Sequence, residues 1–167
     1  GRHNDAIAVE KRLTSAAGSL SDFANAHQYF GLHRLADGSW TFREWAPNAT
    51  AITLIGDFND WKPTPEYALR RIEGGVWEGT FPPEAFTHGQ LYKMLVEWPG
   101  GSGERIPAYA TRVIQDPKTY IFSAQVWAPA EPYRWQVDKF VPDTKPLLIY
   151  ECHIGMAQER EGVGTYD

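Results

Sequence analysis

Residues 40–61 carry the clearest hydrophobic pattern of the chain. Residues 40–45 read as a β-strand, in which successive side chains point to opposite faces. One face carries Trp40, Phe42 and Glu44, and the other carries Thr41, Arg43 and Trp45. After a Pro-Asn turn, residues 50–55 are β-branched and apolar, as in a well-covered strand. Residues 56–61 are mostly turn-forming. We therefore expect two strands, followed by a polar loop that carries Trp61.

Several further runs have the same strand-like pattern. They are separated by turn signals at intervals of about 8–12 residues, and two pairs of them enclose a Gly-containing turn, which predicts hairpins. Residues 89–98 form the longest strand candidate. Six or more short strands of this kind predict an all-β fold, an antiparallel β-sandwich of immunoglobulin-like type. The expected hairpins pair residues 29–34 with 39–45 and 67–72 with 76–81. A turn or loop, interpreted as a flexible hairpin, is expected at 99–103, and an extended segment at 105–114.

The two ends of the chain differ from this central β region. Near the N-terminus, residues 4–17 predict a short helix that Gly18 ends. The stretch after the sandwich contains five prolines and interspersed aromatics, so we expect an ordered, proline-stiffened connector. The apolar run Leu147–Cys152 then predicts a buried strand at the start of a second, truncated domain. The expected boundaries are 1–27 for the helical extension, 28–115 for the sandwich, 116–146 for the connector and 147–167 for the truncated domain.

Composition narrows the possible partners. Aromatic residues make up 14% of the chain, which is high, and the charged fraction of 22% is ordinary. The formal net charge of −5 and the lack of long Lys or Arg runs argue against a nucleic-acid or membrane surface. No apolar run approaches the roughly 20 residues that cross a bilayer. Cys152 is the only cysteine, so we expect no intramolecular disulfide, a buried and inert thiol, and a reducing, cytoplasmic location.

Candidate catalytic and metal-binding residues are few. The five histidines include no i, i+4 pair on a helix and no Cys–His cluster, so we predict neither a metal site nor a cofactor. Asp57 and Asp60 lie three residues apart, and paired carboxylates can act as acid and base on a glycoside. Loop carboxylates more often bond backbone N–H groups, and we interpret the pair in that way. We predict no catalytic residue in this chain.

The aromatic residues suggest a sugar site. A sugar ring has an apolar C–H face that suits Trp, and a rim of hydroxyls that suits Asn, Asp and Lys. Trp61 beside Asn59, with Lys93 and Trp98 on the long strand, could supply both kinds of contact. Lys93 and Trp98 have opposite parity, so both face one ligand only if a bulge intervenes or Trp98 already belongs to the turn. Alternatively, Trp61 is a lid on the core or a domain-interface residue. The tryptophans expected in the core are Trp40, Trp45 and Trp77.

Four motifs resemble known families. Phe42-Arg-Glu-Trp-Ala-Pro-Asn-Ala and Leu54-Ile-Gly-Asp-Phe-Asn-Asp-Trp61 resemble the family-48 carbohydrate-binding module of amylase-type enzymes. Arg105-Ile-Pro-Ala-Tyr-Ala and Leu148-Ile-Tyr-Glu-Cys-His-Ile-Gly-Met156 look like the 1,4-α-glucan branching enzymes of glycoside hydrolase family 13. The resemblance covers nearly the whole chain from about residue 20 onward.

This resemblance implies an N-terminal part of an enzyme that cuts an α-1,4-glucan and reattaches the piece by an α-1,6 link. The family's catalytic carboxylates lie on later strands of a (β/α)8 barrel, so this chain alone would be inactive. By the same resemblance, Trp61 and Lys93 match glycan-binding positions of the module, whereas Trp98 is only near such a position.

The expected partners follow from the same reading. They are an α-glucan, the enzyme's own barrel, and a second copy of the chain through the unpaired edge of residues 147–154. Two alternatives remain open: a free-standing glycan-binding or regulatory module with no catalytic parent, and a purely structural sandwich that scaffolds a partner.

Overall fold

The computed structural model describes residues 2–15, 18–131, 133–137, 139–141, 148–153 and 162. The chain divides into two units, residues 1–131 and 132–167, and the helices and strands of the described residues all lie in the first. The helices are α1 (Arg2–Thr14), α2 (Leu20–Phe23) and α3 (Ala26–Tyr29). The strands are β1 (Gly31–Arg34), β2 (Trp40–Trp45), β3 (Ala51–Gly56), β4 (Arg70–Arg71), β5 (Val76–Phe81), β6 (Leu91–Trp98), β7 (Gly101–Arg105), β8 (Val113–Gln115) and β9 (Phe122–Gln125).

The strands form two antiparallel sheets. The first has the order β1-β2-β5-β4, and the second has the order β3-β6-β9-β8, with β7 also paired to β6. Strand β6 is the centre of the second sheet, because β3 pairs along one edge while β7 and β9 share the other. Both predicted hairpins are confirmed, as β1 pairs with β2 and β4 pairs with β5.

The core lies between the two sheets, so the predicted β-sandwich is confirmed. Alternation places one face of each strand inward, and burial of each large apolar side chain contributes roughly 1.5–3 kcal/mol. Phe42 and Leu54 have no exposed surface, and they come from different sheets. The buried cluster also includes Trp40, Ile52, Leu69, Trp77, Phe81, Phe86, Tyr92, Met94, Ala124 and Val126.

The N-terminal residues form the expected helical extension. Helix α1 begins and ends close to the predicted limits, and none of its residues is buried. The Gly18 N–H bonds the Thr14 carbonyl at 2.9 Å with a φ of +88°, which is the left-handed stop that the glycine predicted.

One strand lies where the sequence predicted none, and another follows a tighter turn than expected. The Gly-rich run after β6 was expected to be a turn or loop and was interpreted as a flexible hairpin. The turn takes only Pro99 and Gly100, and β7 then pairs back on β6 as the second arm of a hairpin. Strand β9 lies within the predicted connector, and its Ala124 is fully buried. The flanking prolines, Pro117 and Pro129, stand outside this short strand and so do not interrupt its ladder. The 105–114 segment is strand only at its two ends.

Three predictions of burial are wrong. Trp45 is 60% exposed, because it lies on the outer side of β2, and its indole N–H donates to the Gly74 carbonyl at 3.0 Å. Residues 148–153 contain no strand, and Leu148 is 99% exposed. A strand needs a hydrogen-bonded partner, and no described residue pairs with this segment. Cys152 is exposed with it. Leu147 lies outside the described residues.

Candidate functional site

The loop between β3 and the next turn is built around Asn59. The side-chain oxygen of Asn59 (Oδ1) accepts the Gly56 N–H at 2.9 Å, and its side-chain nitrogen (Nδ2) donates to the Leu54 carbonyl at 3.0 Å. Gly56 itself is required by close approach, since a Cβ there would lie 2.3 Å from the Leu91 carbonyl oxygen. Asn59 therefore ties the loop to the end of β3, and its side chain has little capacity left for a sugar hydroxyl.

Asp57 joins this loop to the start of β6. One carboxylate oxygen accepts the Leu91 N–H at 2.7 Å, and the other accepts the indole N–H of Trp61 at 2.9 Å. The Asp57 N–H also donates to the Leu91 carbonyl at 3.0 Å. The loop-shaping interpretation of Asp57 agrees with this geometry, although the backbone that it bonds is distant in sequence. The carboxylate is a clamp that fixes the indole relative to β6.

Trp61 sits in an unusual backbone conformation. Asp60 and Trp61 have φ values of +53° and +58°, a left-handed region that costs a non-glycine residue roughly 1–2 kcal/mol. The Trp61 N–H bonds the Gly56 carbonyl at 2.9 Å and holds this conformation. Strained residues of this kind tend to cluster at functional sites. The indole is thus fixed at both its backbone and its ring nitrogen, and the side chain is half-buried.

Lys93 lies two residues along β6 from Leu91, on the same face of the strand, and opposite Ile55 of β3. The structure therefore brings Lys93 to the same end of the sheet as the Asp57 clamp. Its amine forms an ion pair with the Glu104 carboxylate at 3.0 Å, and its side chain is only 13% exposed. The Lys93 amine therefore already has a partner.

Trp98 does not belong to this site. The β3–β6 register is continuous, with no bulge, so Trp98 and Lys93 face opposite sides of β6. At 3.3–3.4 Å per residue, the Cα atoms of these two residues lie about 17 Å apart along the strand. Trp98 instead lies beside the Pro47 turn, where it lines a shallow apolar pocket of about 290 Å³. The Arg105 guanidinium stacks over its ring, 5.4 Å from the centroid.

An open groove of about 600 Å³ lies beside the loop. Trp61 is not among its lining residues, although its neighbours Asp60 and Lys62 are. Burial, and secondly the Glu66 carboxylate, raise the pKa of the Tyr67 phenol in the groove wall. The remaining lining residues are Phe58, Asn59, Thr64, Phe81, Pro82, Glu84 and Ala85.

The loop could be predicted from the sequence, whereas its clamp and the groove could not. The clamp depends on Asp57 and Leu91, which are 34 residues apart, so no local pattern reports it. The groove joins the loop after β3 to the turn after β5, and these belong to different sheets. The Gly-Asp-Phe-Asn-Asp-Trp run was the only available signal, because it places several polar side chains beside a tryptophan.

Among the described residues, no three His, Cys, Asp or Glu side chains are placed to hold a metal ion. No helix in the described part of the chain is long and apolar enough to cross a membrane.

The two antiparallel sheets and the anchored tryptophan loop define a β-sandwich module. Residues 29–118 match the family model described as carbohydrate-binding module 48, the isoamylase N-terminal domain. This match covers more than half of the chain, and it spans both sheets except β9. The chain belongs to the carbohydrate-binding module 48 family.

Curated relatives extend the similarity over nearly the whole chain. The chain is 38% identical over 158 residues to the 1,4-alpha-glucan-branching enzyme of Yarrowia lipolytica, covering 89% of this chain and 23% of the relative. It is 34% identical over 163 residues to the 1,4-alpha-glucan-branching enzyme of Rhizophagus irregularis, covering 94% of this chain and 24% of the relative. The chain therefore spans about a quarter of the length of the curated relatives it matches.

Among solved structures, the catalytic module of the multi-modular glycogen-degrading pneumococcal virulence factor SpuA is similar with a TM-score of 0.48. The identity is 21%, and the match covers 60% of this chain and 16% of that chain.

Proposed function

We propose that the sandwich binds α-glucan and that Trp61 is its principal sugar platform. The supporting observation is the double anchoring of the indole, by the Asp57 carboxylate at its ring N–H and by the left-handed backbone at its Cα. A platform fixed before binding loses little conformational freedom when a sugar ring packs on it.

The polar part of the proposed site is smaller than the sequence suggested. Asn59 acts through the loop rather than on the ligand, because both ends of its amide are engaged. Lys93 can donate to a sugar hydroxyl while it keeps Glu104, since an ammonium has three donors. We do not include Trp98, which lies at the other end of β6.

We further propose that this chain is the N-terminal part of a cytoplasmic 1,4-α-glucan branching enzyme. The curated relatives of that name support this parentage over most of the chain. In this proposal residues 1–27 are the extension, residues 116–146 connect the sandwich to the catalytic part, and residues 147–167 begin the barrel. The module would hold glucan near a barrel that breaks an α-1,4 link and forms an α-1,6 link with retention. The free-standing module is the weaker alternative, and the coding sequence beyond residue 167 distinguishes the two.

The binding proposal is tested by affinity electrophoresis of the 167-residue chain in gels that contain glycogen. We expect retardation of the wild type and a weaker interaction for Trp61→Ala. By analogy with base–aromatic stacking, one platform is worth about 1–3 kcal/mol, or about 5- to 150-fold in Kd.

Trp45→Ala is the matched control, because Trp45 is an exposed tryptophan on the outer side of the other sheet. We expect its retardation to equal that of the wild type. No retardation of the wild type, or equal losses in the two variants, would contradict the role of Trp61.

We also propose weak self-association through residues 147–154. Within this range Leu148, Ile149 and Tyr150 are apolar and strongly exposed. Apolar surface of this kind is buried when two copies meet. Sedimentation velocity over a wide range of concentration should show a rising mean mass, and Ile149→Lys should abolish the rise. A constant monomer mass for the wild type would refute this proposal.

A further inference from the structure

The groove beside the Trp61 loop has polar side chains that the fold does not use. The carboxylates of Asp60, Glu66 and Glu84 and the amine of Lys62 line it, and none of them has a hydrogen bond or an ion pair with another described residue. Asn59 also lines the groove, but both ends of its side-chain amide already bond the backbone. The unpaired charged side chains of the loop and its neighbours therefore lie in the groove.

The groove wall is apolar and firmly supported. Phe58 stacks on Tyr67 with ring centroids 4.4 Å apart, and Phe58 also meets Phe86 edge-to-face at 4.9 Å. The Tyr67 hydroxyl donates to the Ala85 carbonyl at 2.9 Å, which ties the two walls together. Because these rings continue into the core, the groove cannot close by simple side-chain rotation.

The charge of the rim selects the class of ligand. Three carboxylates and one ammonium carry a formal charge of −2. A sugar phosphate or another polyanion would be repelled, whereas carboxylates accept hydrogen bonds from hydroxyls well. An apolar wall with acceptors at its rim suits a neutral sugar ring. The volume of about 600 Å³ lies in the usual range of roughly 300–1,000 Å³ for small-ligand sites.

The loop connects this groove to the platform. The left-handed residues at its tip place Asp60 and Lys62 in the groove lining while Trp61 itself lies outside it. We propose that the groove is a second subsite for the same neutral α-glucan chain, which crosses the loop from the Trp61 indole. This inference rests on the proposed function, because the platform must first bring the chain to the loop.

A second subsite predicts a dependence on chain length. A short oligosaccharide can occupy only the platform, whereas a longer one also enters the groove as an intramolecular event. Maltotriose and maltoheptaose are suitable probes. In heteronuclear NMR of the 167-residue chain, maltoheptaose should shift the Trp61 indole signal and also the backbone amides of Lys62, Thr64 and Glu66. Maltotriose should shift mainly the indole.

The matched variants remove two exposed carboxylates each. Glu66→Ala combined with Glu84→Ala should weaken maltoheptaose binding about 3- to 10-fold, the effect of one or two net hydrogen bonds, and leave maltotriose binding unchanged. Glu73→Ala combined with Glu97→Ala changes the net charge equally and lies outside the groove. This control should bind both probes as the wild type does.

The outcomes separate the two proposals. If the Trp61 signal shifts while the groove amides do not, and the groove variant binds maltoheptaose normally, the subsite is refuted and the platform stands. If both double variants weaken maltoheptaose equally, the effect is one of net charge and the subsite is also refuted. If the wild type binds neither probe, both proposals fail.

Discussion

Asp57 should control both the stability of the loop and the affinity for glucan, although it touches no sugar in our account. Its two carboxylate oxygens hold two groups that belong to different parts of the module, the Leu91 N–H and the Trp61 indole N–H. Asp57→Ala removes both bonds. Asp57→Asn keeps one acceptor oxygen, since the amide nitrogen can only donate.

The expected size of the effect follows from these two bonds. A hydrogen bond to a charged group is worth roughly 1.5–3 kcal/mol, but Asp57 is exposed and water can replace it in part. We therefore take about 1 kcal/mol for each bond, which predicts a loss of about 2 kcal/mol in the free energy of unfolding for Asp57→Ala. Asp57→Asn should lose about half as much. The released indole must also be ordered on binding, at about 0.5–1.5 kcal/mol, which weakens the Kd about 2- to 12-fold.

Urea unfolding and titration with maltoheptaose measure the two effects separately. Glu97→Ala is the control, because the Glu97 side chain on β6 is exposed and its carboxylate has no hydrogen bond or ion pair to another described residue. If Asp57→Ala matches this control in both assays, the clamp has no energetic role. If only the stability falls, the indole does not need to be held for binding, and the preorganisation argument is wrong.

Two further predictions concern the core. The buried Glu44 carboxylate accepts the Ala108 N–H at 2.8 Å and the Trp45 N–H at 3.1 Å. Glu44→Gln leaves one of these donors unpaired, so the free energy of unfolding in urea should fall by about 1–3 kcal/mol. An unchanged urea midpoint would contradict this. Burial, and secondly Glu44, raise the pKa of the Tyr92 phenol above its ordinary 10.0. The resulting stability is complete well below pH 10 and is lost as the pH rises from about 10 towards the raised folded pKa. The urea midpoint should therefore fall above about pH 10, and Tyr92→Phe should reduce that fall.

The sequence predicts the sandwich well where burial alternates along a strand. Strand β6 has apolar side chains at every second position, β3 is apolar except at Thr53, and the inward face of β2 begins with Trp40 and Phe42. All three strands were expected close to their observed limits. Strand β7, Gly-Ser-Gly-Glu-Arg, has no such pattern, because its place depends on the hydrogen bonds of β6 rather than on burial. Tertiary pairing therefore overrides local propensity there.

Burial itself was harder to predict than secondary structure. Trp45 was expected in the core because it is large and apolar, but the alternation of β2 puts it outward with Arg43. For Leu148 to Tyr150, the apolar composition alone predicted a buried strand. In the described residues no neighbouring strand covers them, and an apolar run is buried only where another element packs on it.

The site was predicted as a set of residue types, whereas the structure separates those residues by role. Trp61 and Lys93 lie at one end of β6, Asn59 supports the loop, and Trp98 is at the other end of the strand. Parity and spacing along β6 already separated Lys93 from Trp98. The clamp at Asp57 and the left-handed turn could not be read from the sequence, because they depend on contact with the distant Leu91 and on backbone angles.

Intermolecular nuclear Overhauser effects in the complex with maltoheptaose test the central claim most directly. If Trp61 is the glucan platform, the C–H protons of a bound glucose ring should show strong effects to the indole ring protons of Trp61. Effects to Trp45 or Trp98 instead, or binding without any contact to the Trp61 ring, would contradict the account.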